Sequence, residues 1–368
     1  MEKTWHHLAK LFAAAGHEIT FISRRWPGSP TSETLAGVHH LRLLGANHTR
    51  YLPLNLLLDF IWGVRVTRAL PKADIVITNT VALPVWLHRL KPSAGRVVAV
   101  IARLPKGQTR LYGRVHRLLS LSTAVTQRIL SENSRLRDRI IAFPLPLNWS
   151  LHAAAVAAAA RSVTPIVIGY IGRLHPEKGI GLLLSAARQL LARPDLPPWR
   201  LRLVGPVAVP AGGGGKTWLK QLCEAHAADF GDRLEITPPE YDPSRLAQIY
   251  GTIDIFCYPS LAEQGETFGV AVAEAMATGC VPVVSKIACF AELIREDETG
   301  LIFDHRSLHP EKNLADALGQ LLADAPRRQR LAARARAHVR PFDYPDVAAR
   351  LLGELAALLP APTPPRTL

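Results

Sequence analysis

Cysteine is scarce in this chain: four residues in 368, Cys223, Cys257, Cys280 and Cys289, at wide irregular spacings with no C-x-x-C pair. That argues against a disulfide framework or a zinc site built on paired thiolates, and fits a reducing cytosol. Long apolar runs are also missing. No window of about 18 uncharged apolar residues exists, so no segment is expected to span a bilayer. The most apolar stretch, Leu52 to Val64, is interrupted by Asn55 and Asp59, and Met1-Glu2-Lys3-Thr4 lacks the apolar core of a signal peptide. A cytoplasmic location is therefore expected. Several catalytic signatures are absent too. Gly212-Gly213-Gly214-Gly215-Lys216-Thr217 has Pro210 where a phosphate-cradling loop needs glycine. Gly169-x-x-Gly172 is too sparse for a dinucleotide fingerprint. His6-His7 and His39-His40 lack H-E-x-x-H or carboxylate spacing, so they read as helix-face or surface histidines.

Acidic residues are few in one half only. Residues 1–150 hold 21 Lys and Arg against 7 Asp and Glu, whereas residues 151–368 hold 23 of each. The whole net charge of +14 therefore sits in the first half. A biased composition with solvated arginines is the plain reading. The sharper one is a meeting with something anionic, either a lipid surface or an acidic acceptor. Nucleic acid is disfavoured, because no recognition motif or aromatic-interleaved basic stripe occurs.

Short β-rich runs alternate with helical patterns along the chain, which predicts parallel sheets covered by helices. In the first half strands are expected near Glu18–Ser23, His39–Leu44, Asp74–Asn79, Arg96–Ala102 and Ile140–Phe143, with helices over 4–15, 53–69 and 123–133. The second half is expected to carry strands at Ile166–Ile171, Trp199–Val204, Leu234–Thr237, Ile253–Tyr258, Val281–Ser285 and Leu301–Phe303. Helices 326–339 and 344–358 follow. The expected organisation is a domain over 1–150, a linker over 151–165, a second domain over 166–340, a last helix within 341–359 that crosses back, and a Pro-rich tail over 360–368. The chain opens on a helix, where a nucleotide-type unit would begin with a buried strand and a Gly-rich turn. The expectation is that the true start lies upstream and that Met1 is internal.

Two segments carry chemistry. The first is Pro259-Ser260-Leu261-Ala262-Glu263-Gln264-Gly265-Glu266-Thr267-Phe268-Gly269-Val270, which continues to Glu274 and Gly279. It reads as strand, loop and a helix starting near Phe268-Gly269, whose first backbone N–H groups can take a phosphate or sugar oxygen. Glu274 is the only charged residue between Thr267 and Ser285, so it is expected to be buried and to need a partner. That partner is either a core arginine or the hydroxyls of a ligand. The second segment is Gly169-Tyr170-Ile171-Gly172-Arg173-Leu174-His175-Pro176-Glu177-Lys178-Gly179. It puts two cations at the mouth of a strand, where they suit a diphosphate; surface pairing of Lys178 with nearby acids is the alternative.

Together these residues resemble glycosyltransferase family 4, a group of retaining enzymes. Gly172-Arg173…Glu177-Lys178-Gly179, Glu266-x7-Glu274, Gly300-Leu301-Ile302-Phe303 and His17 with its flanks carry the likeness. The resemblance implies an α/β GT-B fold, two Rossmann-like doubly wound domains facing a cleft, and a nucleoside-diphosphate sugar as donor. It implies that Arg173 and Lys178 bind the diphosphate, Glu274 the ribose and Glu266 a sugar hydroxyl. Gly172, Phe268, Gly269 and Val270 complete the donor site, and Glu266, Arg173 and Lys178 are the catalytic set. No metal or other cofactor is implied, and no D-x-D motif is present. The chain departs from the family where many members carry a histidine in the first domain; Ile101-Ala102-Arg103 stands there instead. A GT-B phosphorylase or epimerase, or a catalytically impaired binding protein, are the rival expectations. Leu56-Leu57-Leu58-Asp59-Phe60-Ile61-Trp62, followed by Arg65 and Arg68, reads first as core packing and second as a helix docking on anionic lipid.

Overall fold

The computed structural model describes residues 2–47, 49, 51–158, 164–226 and 229–360. Parts of two expectations, the linker at 159–163 and the tail at 361–368, lie outside the described residues. The chain divides into two compact units, Met1–Pro146 with Tyr344–Leu368, and Leu147–Asp343.

In the first unit, α1 (Glu2–Ala14) buries Leu8, Ala9 and Phe12, one face of a helical repeat. It packs with the final helix, Tyr344–Ala356, where the His7 ring stacks on Tyr344 at 4.0 Å between centroids. Strand β1 (Ile19–Arg24) pairs in parallel with β3 (Val38–Leu43), and β2 (Ser32–Leu35) joins β3 as an antiparallel hairpin. Its two turn residues, Ala36 and Gly37, both have positive φ, 49° and 77°, which suits the twist of the flanking strands. Helix α2 (Leu52–Ala69), β4 (Ile75–Thr78), α3 (Leu83–Leu90), β5 (Arg96–Ile101), β6 (Arg117–Ser120), α4 (Thr123–Glu132) and β7 (Ile140–Ala142) follow. The last four strands form a parallel sheet in the order β4-β5-β6-β7. A doubly wound unit would carry one sheet; here it is in two pieces, with β1 and β4 each paired along one edge only among the described residues. Ile22 and Leu43 pack against the cluster of Val66, Val76, Leu83 and Val97, so the two pieces share a core.

Two strands escape the sequence patterns. β2 (Ser-Glu-Thr-Leu) is polar and largely exposed, and the hairpin turn rather than burial defines it. β6 (Arg-Leu-Leu-Ser) lacks β-branched residues and forms through pairing with β5 and β7 on either side. The expectation of core packing for Leu56–Trp62 also fails in part. Leu56, Leu57 and Phe60 of α2 are 54%, 54% and 51% exposed, whereas Trp62 packs against the core cluster and Gly63 and Val66 further along the helix are buried. Among the described residues, no helix is long and apolar enough to cross a membrane.

The second unit opens with α5 (Trp149–Ala158), which packs on helices of the same unit, so residues 151–158 are a helix and not a connection. Its sheet holds β8 (Ile166–Ile171), β9 (Trp199–Val204), β10 (Leu234–Thr237), β11 (Ile255–Tyr258), β12 (Val281–Ser285) and β13 (Leu301–Phe303). Helices α6 (Ile180–Leu191), α7 (Lys216–His226), α8 (Pro243–Gly251) and α9 (Val270–Ala277) lie between them in the chain. After the last strand come α10 (Pro310–Ala323) and α11 (Ala325–Val339), and the final helix is α12. All pairings are parallel, in the order β10-β9-β8-β11-β12-β13. Strands β8 and β11 are near-continuous apolar runs, as strands covered on both faces must be. The chain direction across the sheet reverses between them, which is where such sheets leave a crevice beyond the strand ends.

Ile168 has no exposed surface and lies between β9 and β11. Its replacement by alanine should cost about 2–5 kcal/mol through lost burial and an unfilled cavity. A thermal midpoint equal to that of the parent chain would show that β8 is not the packed centre of this sheet.

Candidate functional site

The switch point is lined by the two motif segments. Beyond β8 the chain passes Gly172 and Arg173 and enters a short 3-10 turn, Pro176–Lys178, before α6. Gly179 joins them at φ 69°, and a Cβ there would stand 1.9 Å from the carbonyl oxygen of Pro259. Only glycine allows this approach. The loops after β8 and β11 are laced together at that point, with Leu261 N–H donating to the Glu177 carbonyl at 2.8 Å.

That lacing buries an ion pair. Lys178 Nζ donates to Glu266 Oε1 in a short contact, and both residues are buried. Tyr258 Oη at 3.2 Å and Ser260 Oγ at 2.9 Å donate to the same carboxylate oxygen. A buried ion pair is tolerable only when further hydrogen bonds offset the lost hydration, and Tyr258 and Ser260 supply them. Lys178 Nζ lies also 5.7 Å from the centroid of the Tyr258 ring, which stacks on Tyr170. Burial and the Glu266 charge hold the Tyr258 hydroxyl well above its ordinary pKa, so it stays a donor.

Arg173 continues the chain of charges outward. Its guanidinium donates to Glu177 Oε1 at 2.6 Å and to the Gly212 carbonyl at 3.0 Å. Glu177 stands in turn 4.0 Å from Lys178 Nζ. Burial works against the Glu177 charge, but the Arg173 hydrogen bond and the Lys178 charge outweigh it and hold the pKa below the usual value. The surface pairing expected as one alternative for Lys178 is not what forms: its main partner is the buried Glu266.

Helix α9 begins at Val270, with Gly269 as its cap at φ 85°. A Cβ on Gly269 would meet the Phe290 ring at 2.7 Å, so both backbone angle and packing ask for glycine. The Val272 N–H donates back to the Gly269 carbonyl at 3.0 Å, and the N–H groups of Val270 and Ala271 come before the first bond of the helix. Phe268 is 2% exposed and its ring lies 6.0 Å from that of Phe342, so only its backbone can serve a ligand.

One turn further, Glu274 accepts from Tyr250 Oη at 3.1 Å and makes no ion pair among the described residues. The core-arginine alternative therefore does not hold. Burial raises the Glu274 pKa to about 7, with the Tyr250 hydrogen bond acting the other way. Sequence reasoning missed Tyr250, Tyr258 and Ser260. Tyr258 and Ser260 flank Pro259 at the end of a strand, a placement that could have flagged them; Tyr250 closes α8 with no local signal. Among the described residues no group of three His, Cys, Asp or Glu side chains is placed to share a metal ion.

The family model for glycosyl transferases group 1 matches residues 155–338, half of the chain. The chain belongs to that family. Every residue of the site just described, from Gly172 to Glu274, falls inside the matched region. A D-inositol 3-phosphate glycosyltransferase of Nocardia farcinica (strain IFM 10152) is 28% identical over 258 residues, 69% of this chain and 55% of that protein. One from Stackebrandtia nassauensis is 35% identical over 193 residues, 51% of this chain and 41% of that protein. The chain spans about half the length of the curated relatives it matches. Among solved structures, sucrose-phosphate synthase from Thermosynechococcus elongatus has a TM-score of 0.75 at 20% identity, covering 96% of this chain and 92% of that one. Anabaena HepE in complex with UDP and glucose has a TM-score of 0.71 at 16% identity, covering 97% and 95%. These likenesses show the GT-B fold, with its two Rossmann-like units.

Glu274 gives a pH signature. An ordinary glutamate titrates near 4.5, and this one near 7 when folded. The folded chain therefore binds the proton more tightly over that interval, and stability falls as pH rises from about 4.5 to 7. Glu274→Gln keeps an acceptor for Tyr250 and removes the titration. Relative to the parent, the variant should gain up to about 3 kcal/mol by pH 8 and nothing near pH 4.5. Denaturation curves at the two pH values check this; a constant difference would place the carboxylate in water.

Proposed function

We propose that this chain transfers a glycosyl group from a nucleoside-diphosphate sugar to an acceptor, with retention of anomeric configuration and with the donor seated on the second unit. The observation that carries the reading is the pair of cations Arg173 and Lys178, both against Glu177, at a sheet switch point where Lys178 also meets Glu266 in the loop that leads into α9. Lys178 has three donor hydrogens and Glu266 engages one in the ligand-free chain, so others remain for phosphate oxygens. Arg173 adds a planar fork that suits the same group. Both neutralise charge that grows on the diphosphate as the bond to the sugar breaks. The N–H groups of Val270 and its neighbours take a further phosphate or sugar oxygen.

Glu274 fits the ribose, since two sugar hydroxyls can donate to a carboxylate whose only protein donor among the described residues is Tyr250. Glu266, with one oxygen still available, fits a hydroxyl of the transferred sugar. In front-face transfer the bond from the anomeric carbon to the leaving phosphate oxygen breaks while the bond to the acceptor oxygen forms on the same face. The acceptor proton passes to the leaving diphosphate. The protein supplies position and charge, and no metal or other cofactor has a part in this reading. HepE has been solved with UDP-glucose, which makes a UDP-sugar the first donor to try. The acceptor named for the curated relatives, an inositol phosphate, is the corresponding first acceptor.

A peripheral membrane contact belongs to the same proposal. The exposed Leu56, Leu57 and Phe60 of α2, in the basic half of the chain, suit the headgroup boundary of an anionic bilayer.

Two measurements check these claims. UDP-glucose at a hundred times its Kd should stabilise the chain by about 2.7 kcal/mol, and Lys178→Ala and Glu274→Ala should each lose that ligand-dependent gain. Full stabilisation in both variants would mean that the donor sits elsewhere. The parent chain should co-sediment with phosphatidylglycerol vesicles at low salt, and serine at positions 56, 57 and 60 should release most of it. Equal recovery with neutral vesicles would remove the membrane claim.

A further inference from the structure

Four arginines of the first unit gather where neither the donor site nor the membrane helix uses them. Arg96 opens β5, Arg117 opens β6 and Arg139 immediately precedes β7, so three neighbouring parallel strands present a guanidinium at the same sheet end. Arg114 comes from the turn before β6. With His88 and His116 they line a cleft of about 700 Å³, a volume suited to a small organic ligand. It lies at the N-terminal ends of these strands, and no carboxylate is among its lining residues.

The hydrogen bonding is incomplete in one direction. Arg139 donates to the carbonyls of Gly113 and Val115 at 2.8 and 3.0 Å, and Arg117 to that of His116 at 3.0 Å. Arg114 makes no ion pair or hydrogen bond among the described residues, and none of the four arginines has a carboxylate partner there. His116 Nδ1 accepts from the Val97 N–H at 3.0 Å, so its neutral ring carries the proton on Nε2. Arg96 Nη1, which can only donate, stands 3.1 Å from that same Nε2. Two donors face each other, and an acceptor alongside both would satisfy them. Both ring nitrogens of His88, on the cleft wall, are buried without a hydrogen-bond partner among the described residues. Helices α3 and α12 end near the cleft, but each C-terminus offers only about half a negative charge against four cations. Burial and the surrounding arginines lower the pKa of both histidines, in keeping with a positive potential that no protein group relieves.

We propose that this cleft is a second anion site, which binds a small molecule carrying two or more phosphate groups, with Arg96, Arg114 and the His116 Nε2–H as its free donors. The inference does not rest on the donor reading, since every residue in it belongs to the first unit. Isothermal titration with inorganic pyrophosphate tests it, using the Lys178→Ala chain so that the donor site of the second unit is weakened. Saturable binding is expected, and adding Arg96→Ser with Arg114→Ser should weaken it at least about tenfold, because charge-assisted hydrogen bonds to phosphate are lost. Both arginines are exposed, so an unchanged ligand-free thermal midpoint should accompany the loss. Should Lys178→Ala not fold, the same pair of substitutions in the parent chain must remove one of two pyrophosphate sites. Pyrophosphate affinity unaltered by the arginine substitutions, or no saturable binding, overturns the proposal. So does a result in which the arginine variant loses only its retention on phosphatidylglycerol vesicles, for the arginines would then be serving a lipid surface.

Discussion

The Lys178–Glu266 pair is the constraint around which the second unit is arranged. Two opposite charges can be buried together only if their remaining hydrogen-bonding capacity is met, and here that requires Tyr258 and Ser260 at the end of β11. To bring a residue from the loop after β8 onto a residue from the loop after β11, the backbones must nearly touch. Gly179 against Pro259 is where they do. The parallel pairing of β8 with β11, the positive φ at Gly179 and the apolar wall of Tyr170 and Tyr258 all follow from that requirement.

Glu274 illustrates a different way of keeping a charge in a protein. Among the described residues it has no cation, only the Tyr250 hydroxyl, and burial raises its pKa to about 7 against that hydrogen bond. A carboxylate in that state gains from any ligand that brings hydroxyl donors, because the ligand supplies what the fold withholds. Lys178 and Glu266 satisfy each other before a ligand arrives, whereas Glu274 does not. The two acids of one motif therefore sit in opposite electrostatic conditions a short distance apart in sequence, one paired and one waiting.

The first unit uses its charge otherwise. Its excess of arginine is not spread evenly over the surface. Part of it is concentrated at the N-terminal ends of β5, β6 and β7, where sheet geometry sets guanidinium groups side by side. The exposed leucines and Phe60 of α2 are a separate feature, apolar where the strand ends are cationic. An uneven charge balance legible in composition thus resolves into distinct surfaces only when strand order is known.

Local patterns in the sequence were enough for much of the fold. The alternation of apolar strands and helices, the strands β8 to β13, the placing of Arg173 and Lys178 in the loop after β8, and that of Glu266 before a helix holding Glu274 all follow from period, turn chemistry and motif. The β2 hairpin and β6 were not legible, because a polar edge strand and a four-residue strand are defined by the partners they pair with. The residues 151–158 read as a connection because an Ala-rich run carries little periodicity, yet packing against α8 and α9 makes them a helix of the second unit. Tertiary structure alone decided which groups satisfy the buried charges. Tyr250 with Glu274 and the donor-on-donor meeting of Arg96 with His116 join residues on separate elements, and such contacts leave no trace in local spacing, whereas Tyr258 and Ser260 lie close before Glu266 but meet it only through the fold of the loop between them.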